Sequence, residues 1–124
     1  MFIRRQLAFV AITLLLLNPA MAAPAPPAVR AEIDAVFKKL QVPGCQFNRN
    51  GSWYTGAEAQ SHLMRKLEYL EDKDLVKTTE DFITLGASTS SSSGKAYQVR
   101  CGDAVAVESK VWLLEQLKSV RRGK

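Results

Sequence analysis

The chain has 124 residues, 47% of them hydrophobic, with a formal net charge of +5, one His and two Cys. That length holds one domain with a modest core. Acidic residues are interspersed with the basic ones, which is not the basic stripe of a nucleic-acid binder. With a single His, no metal site can draw on a second imidazole.

Met1-Phe2-Ile3-Arg4-Arg5 opens the chain as a short basic segment. The apolar run Leu7 to Leu17 follows, about 11 residues long, where a bilayer span needs about 20. Asn18-Pro19 breaks the run, and Ala20-Met21-Ala22 offers small residues at the −3 and −1 positions of a cleavage site. Cutting one residue later would leave Pro24 just past the scissile bond. Residues 1–22 are therefore read as a signal peptide cleaved after Ala22, and the expected location is the periplasm. Loss of Arg4 and Arg5 removes two of the five net positive charges, leaving about +3. No later stretch is long and apolar enough to insert stably into a membrane.

An even cysteine count in an exported chain argues for one disulfide, Cys45–Cys101. It would close a loop of about 57 residues and stabilise the fold by about 4 kcal/mol on a chain-entropy argument. Pairing also removes the thiolate that a nucleophilic Cys needs.

Residues 23–28, rich in Pro and Ala, read as an extended leader without core residues, and 29–124 as a single globular domain. Val29, Ile33, Val36, Phe37 and Leu40 make one helical stripe, closed by Val42-Pro43-Gly44. Cys45-Gln46-Phe47 reads as a strand, Asn48-Arg49-Asn50-Gly51 as a turn and Ser52-Trp53-Tyr54 as the returning strand. Thr55 and Glu58 have capping-box spacing, and the helix behind them carries Ala59, Leu63, Leu67 and Leu70 on its inner side until about Glu71. Thr78-Thr79-Glu80-Asp81 starts another helix, with Phe82, Ile83 and Leu85 as its apolar residues. Ser88 to Gly94 is a serine-rich loop. Ala96 to Cys101 alternates as a strand. A last helix runs from about Glu108 to Arg121, with Leu113, Leu117 and Val120 inward. Arg121, Arg122 and Lys124 form a basic tail. The expected fold is α+β and mostly helical, with about four helices, a small antiparallel sheet and one disulfide.

Motifs for chemistry are sparse. HExxH and G-x-S-x-G are absent. Gly94-Lys95 does not complete a phosphate loop, because Thr89 and Ala96 stand where Gly and Ser or Thr are required. The serine hydroxyls and Lys95 remain suited to an anion or a sugar. Asn50-Gly51-Ser52 matches a glycosylation sequon, but the turn accounts for these residues. Asn48 to Tyr54 joins amides, a guanidinium and two aromatics, a mixture suited to sugar or peptide recognition. Equally, Trp53 and Tyr54 can serve to anchor the hairpin on the helices. If Arg100 points the same way as Arg49, the two make one basic and aromatic patch. The candidate binding residues are Asn48, Arg49, Asn50, Trp53, Tyr54, His62, Lys95 and Arg100, with no catalytic and no metal-ligating set.

Several of these pieces carry a resemblance. They are Cys45-Gln46-Phe47-Asn48-Arg49-Asn50-Gly51-Ser52-Trp53-Tyr54, Glu58-Ala59, His62-Leu63 and Lys66. Further along they are Thr79, Phe82-Ile83, Ala87-Ser88, Ser91 to Lys95, Tyr97-x-Val99-x-Cys101-Gly102 and Trp112-Leu113. Together they resemble the YfeK-like family of small exported bacterial proteins, a domain-of-unknown-function family. The resemblance implies export and pairing of the two cysteines, and it transfers no activity and no catalytic residue. Two functions stay open: a non-enzymatic binding or interaction module of the cell envelope, and a small envelope hydrolase using His62. The first expects a periplasmic protein or a cell-wall component as partner, with no cofactor and no nucleic acid.

Overall fold

The computed structural model describes residues 24–123 together with Ala8 and Ala11, so the signal peptide read at 1–22 and the terminal Lys124 lie outside the described residues. In chain order the elements are α1 (Pro27–Leu40), β1 (Cys45–Arg49), β2 (Ser52–Thr55), α2 (Gly56–Asp72), α3 (Thr79–Gly86), β3 (Gln98–Cys101), β4 (Val107–Glu108) and α4 (Ser109–Arg122). The sheet is antiparallel in the order β2-β1-β3-β4. The α+β class, the four helices and the disulfide agree with the sequence reading.

Alternation along the strands explains why the helices cover one face of the sheet. Phe47 pairs with Tyr54 on one side and Val99 on the other, and Phe47 and Val99 are buried. Beneath them lie Ile33, Phe37 and Leu40 of α1, Leu63 and Leu67 of α2, Ile83 of α3, and Leu113 and Leu117 of α4, all buried. Phe37 meets Phe82 edge to face at 5.8 Å between centroids. On the other face, Gln98 is exposed and Gln46, Asn48, Trp53 and Arg100 are half-buried.

Five local features differ from the sequence reading. First, β1 runs through Arg49, so the turn shrinks from four residues to two. Asn50 (φ 52°) and Gly51 (φ 87°) make it, with both residues in the left-handed region that a tight antiparallel hairpin needs. Asn48 and Arg49 then pair with Trp53 and Ser52.

Second, the leader is part of the fold. Ala25 is buried, its N–H donates to Glu71 Oε2 at 2.7 Å, and Arg30 Nη1 reaches Glu71 Oε1 at 2.8 Å. The helix starts two residues earlier than periodicity suggests because Pro27 fits the first turn, where an N–H has no helical partner. Third, the strand read from Ala96 begins at Gln98; Ala96 instead bridges Thr89 and closes the serine loop. Fourth, β4 is a two-residue strand too short to show a period. Fifth, Arg121 is not a free tail residue. It donates to Glu32 Oε2 at 2.9 Å and pairs with Glu80, so it clamps α4 onto α1 and α3.

Both capping boxes form. Thr55 with Glu58 starts α2, and Thr78 with Asp81 starts α3. Gly56 is required at the entry to α2, since an added Cβ would fall 2.1 Å from the Leu40 carbonyl oxygen. Among the described residues no helix is long and apolar enough to cross a membrane.

Cys45 and Cys101 face each other across the β1–β3 ladder, bonded over a sequence separation of 56. Reduction should therefore destabilise the domain by about 4 kcal/mol, a drop in Tm of well over 10 °C. Thermal melts with and without reductant, or of the Cys45→Ser/Cys101→Ser double variant, check this. Superimposable melts would show the bridge to be energetically idle.

Candidate functional site

The tight hairpin decides where Arg49 goes. Two-residue closure keeps Arg49 in register and on the same sheet face as Phe47 and Tyr54, toward α2. On α2, His62 and Lys66 are one turn apart and flank the buried pair Leu63 and Leu67. From the residue before β3, Tyr97 inserts a buried ring beside Phe47, with 5.0 Å between centroids. Its hydroxyl emerges between His62 and Lys66.

The resulting network is short and directional. Arg49 Nη1 lies 2.7 Å from His62 Nδ1 and 3.4 Å from Nε2. A guanidinium can only donate, so Nδ1 accepts, and the neutral ring carries its proton on Nε2. That nitrogen donates to Tyr97 Oη at 3.1 Å. Lys66 Nζ donates to the same oxygen at 3.1 Å and to the Thr89 carbonyl at 2.9 Å. In that tautomer Tyr97 Oη accepts from both His62 and Lys66. Arg49 also lies over the Tyr54 ring at 5.2 Å and Lys66 over the Tyr97 ring at 4.8 Å.

The serine loop forms the far wall. Ser90 is buried, and Ser90 N–H donates to the Lys95 carbonyl at 2.9 Å. Asn50 ties the hairpin tip to this loop, donating to Ser90 Oγ at 3.2 Å and accepting from Ser93 Oγ at 2.6 Å. The loop is therefore an ordered, hydrogen-bonded unit. Arg49, His62, Lys66 and Tyr97 together with Ser91 and Ser92 enclose a depression of about 340 Å³.

Charge in this region is one-sided. Burial first, and then Arg49, Lys66 and Arg65, push His62 down to about 4, so the ring is neutral at physiological pH. Burial and then Arg49 also lower Lys66. Burial raises the Tyr97 phenol, with Arg49 pulling partly the other way. Among the described residues, none of Arg49, Arg65 and Lys66 forms a salt bridge. The nearby carboxylate, Glu58, is engaged with Thr55 in the cap of α2. Also among the described residues, no group of His, Cys, Asp and Glu can hold a metal ion.

Of the residues singled out from the sequence, Arg49, Asn50, Tyr54 and His62 converge here. Asn48, Trp53 and Arg100 do not. They occupy the opposite face of the sheet, where Arg100 stacks 3.8 Å from the Trp53 ring and donates to Gln46 Oε1 at 3.0 and 2.9 Å. Arg49 and Arg100 therefore belong to two separate clusters, because pairing sets Arg100 opposite Gln46 and not opposite Phe47. Lys95 is exposed on the loop, where its backbone makes the loop's hydrogen bonds. Lys66, Tyr97 and Ser90 were not singled out. Lys66 had a signal, being four residues after His62; Tyr97 read as core, and only its hydroxyl belongs to the site.

Because His62 is the single histidine, its titration can be followed without assignment. Proton NMR of the imidazole should give a midpoint near 4, moving up toward 6.5 in Arg49→Gln. Between those two pH values the unfolded chain binds the extra proton and the folded one does not, so this residue makes stability fall as pH falls. A wild-type midpoint near 6.5 would contradict the geometry.

A search of curated proteins and a search of solved structures each find no match. A family model described as a family of unknown function (DUF5329) matches residues 27–121, a span that takes in α1 to α3, the whole sheet, α4 up to Arg121 and the depression around His62. The chain belongs to this family of unknown function.

Proposed function

We propose that the protein is an exported binding module of the cell envelope that holds an anionic group of its partner in the Arg49–His62–Lys66–Tyr97 depression and carries out no chemistry on it. One observation carries this reading. Arg49 and Lys66 line one depression without a salt bridge among the described residues, with Tyr97 between them, and Arg65 lines the two depressions beside it. Holding these cations close together costs electrostatic energy, and an oxyanion between Arg49 and Lys66 relieves it. The residual guanidinium protons, the ammonium and the Tyr97 hydroxyl are the groups such an oxyanion accepts from.

The hydrolase reading fares worse on the same geometry. The only basic nitrogen of His62 faces a guanidinium at 2.7 Å. A ring pushed down to about 4 is also a weak general base at neutral pH. Export rests on the leader pattern of residues 1–22, the cysteine pair and the resemblance to YfeK-like exported proteins. A periplasmic protein or a cell-wall component bearing carboxylates or phosphates fits as partner.

Titration with acetate and with phosphate at low ionic strength tests the anion site. Either anion should raise the His62 midpoint, since a neighbouring negative charge favours the imidazolium. Arg49→Gln and Lys66→Gln should each weaken binding by about tenfold or more, the cost of one charge-assisted hydrogen bond. Arg100→Gln, on the opposite face, should leave binding unchanged. An unmoved His62 resonance at saturating anion would refute the reading. Export has its own check: cell fractionation and N-terminal sequencing should find a periplasmic product starting at Ala23, whereas a cytosolic chain starting at Met1 would oppose it.

A further inference from the structure

Next to the cationic depression lies a second one of about 430 Å³, and the two share His62, Lys66 and Ser91 as a common wall. Its lining turns apolar away from that wall, through Tyr69, Leu70 and Leu85. Leu85 is 51% exposed and Tyr69 62% exposed, although both sit on helices that bury Leu63, Leu67, Phe82 and Ile83. Leu85 cannot be explained as core, because α3 already buries Phe82 and Ile83 on its inner side.

We infer that the ligand is the C-terminal residue of a peptide chain, its carboxylate in the cationic depression and an apolar side chain between Tyr69 and Leu85. This rests on the anion site described above and names what that site takes. Three features favour a peptide end. Charge complementarity places a carboxylate against Arg49 and Lys66, and the shared wall sets the apolar floor directly beside it. The apolar floor is short, consisting of three side chains bounded by Arg65 and Ser91. A long acyl chain would leave most of its methylenes in water. The exposed hydroxyls of Ser91 and Ser92 on the rim can meet the terminal peptide group.

Calorimetric titration of the mature chain with small probes tests this. N-acetylleucine should bind about tenfold tighter than N-acetylglycine, the gain from burying an isobutyl group. N-acetylleucinamide, which lacks the charge, should not bind measurably. Leu85→Ser should erase the leucine advantage and leave N-acetylglycine binding as it was; Leu85 is half-exposed, so the fold tolerates the change. Equal affinity for N-acetylglycine and N-acetylleucine would overturn the proposal while sparing the anion site. Failure of both acetate and N-acetylglycine to bind would overturn the anion site itself. Octyl phosphate binding more tightly than N-acetylleucine, with affinity still rising as the chain lengthens, would identify a lipid and overturn the peptide assignment.

Discussion

Pairing of β1 with β3 is the constraint on which the rest of the molecule depends. Phe47 opposite Val99 closes the sheet over the helical core, and Cys45 opposite Cys101 locks the end of the same ladder. The register also fixes directions. It sends Arg49 and Tyr97 toward α2 and sends Arg100 and Gln46 to the solvent side. A slip of β3 by one residue would exchange its two faces, burying the guanidinium of Arg100 and exposing Val99. The disulfide resists such a slip, so it acts on the arrangement of the site as well as on stability.

On this frame the site is an electrostatic assembly. A neutral His62 is held between a donor and an acceptor, and its role is to orient Arg49 and Tyr97. Its neutrality follows from burial and from the cations around it, so the same crowding that suits an anion disqualifies the ring as a base. Five carboxylates elsewhere in the fold are spent on structure. Glu71 holds Ala25 and Arg30, Glu32 and Glu80 hold Arg121, and Glu58 and Asp81 cap helices. That division leaves the positive charge of the depression without a counter-charge and leaves room for one from outside the chain.

Much of the fold was legible in the sequence because its signals are local. The 3.6-residue stripes of α1, α2 and α4, the Thr55–Glu58 box, the Asn50-Gly51 turn and the cysteine pair each carry their own physical cause. The misses are non-local. Ala25 is buried by a hydrogen bond to Glu71, 46 residues away. Arg121 looked like tail because its partner Glu32 is 89 residues distant. The site was half legible for the same reason. Arg49 and His62 stand out as residue types, but that they meet depends on where the two-residue turn ends the strand. Tyr97 could only be read as an apolar position, since nothing in alternation tells where a hydroxyl emerges. A patch joining Arg100 to Arg49 required both to point the same way, and the pleat separates them.

The central claim is that His62 is neutral, with Nε2 bonded to Tyr97 Oη and Nδ1 the ring nitrogen nearer Arg49. Nitrogen NMR of the labelled imidazole near neutral pH reads this directly. An unprotonated Nδ1 beside a protonated Nε2 is the result that the arrangement requires. A proton on Nδ1, or a doubly protonated ring at that pH, would contradict it.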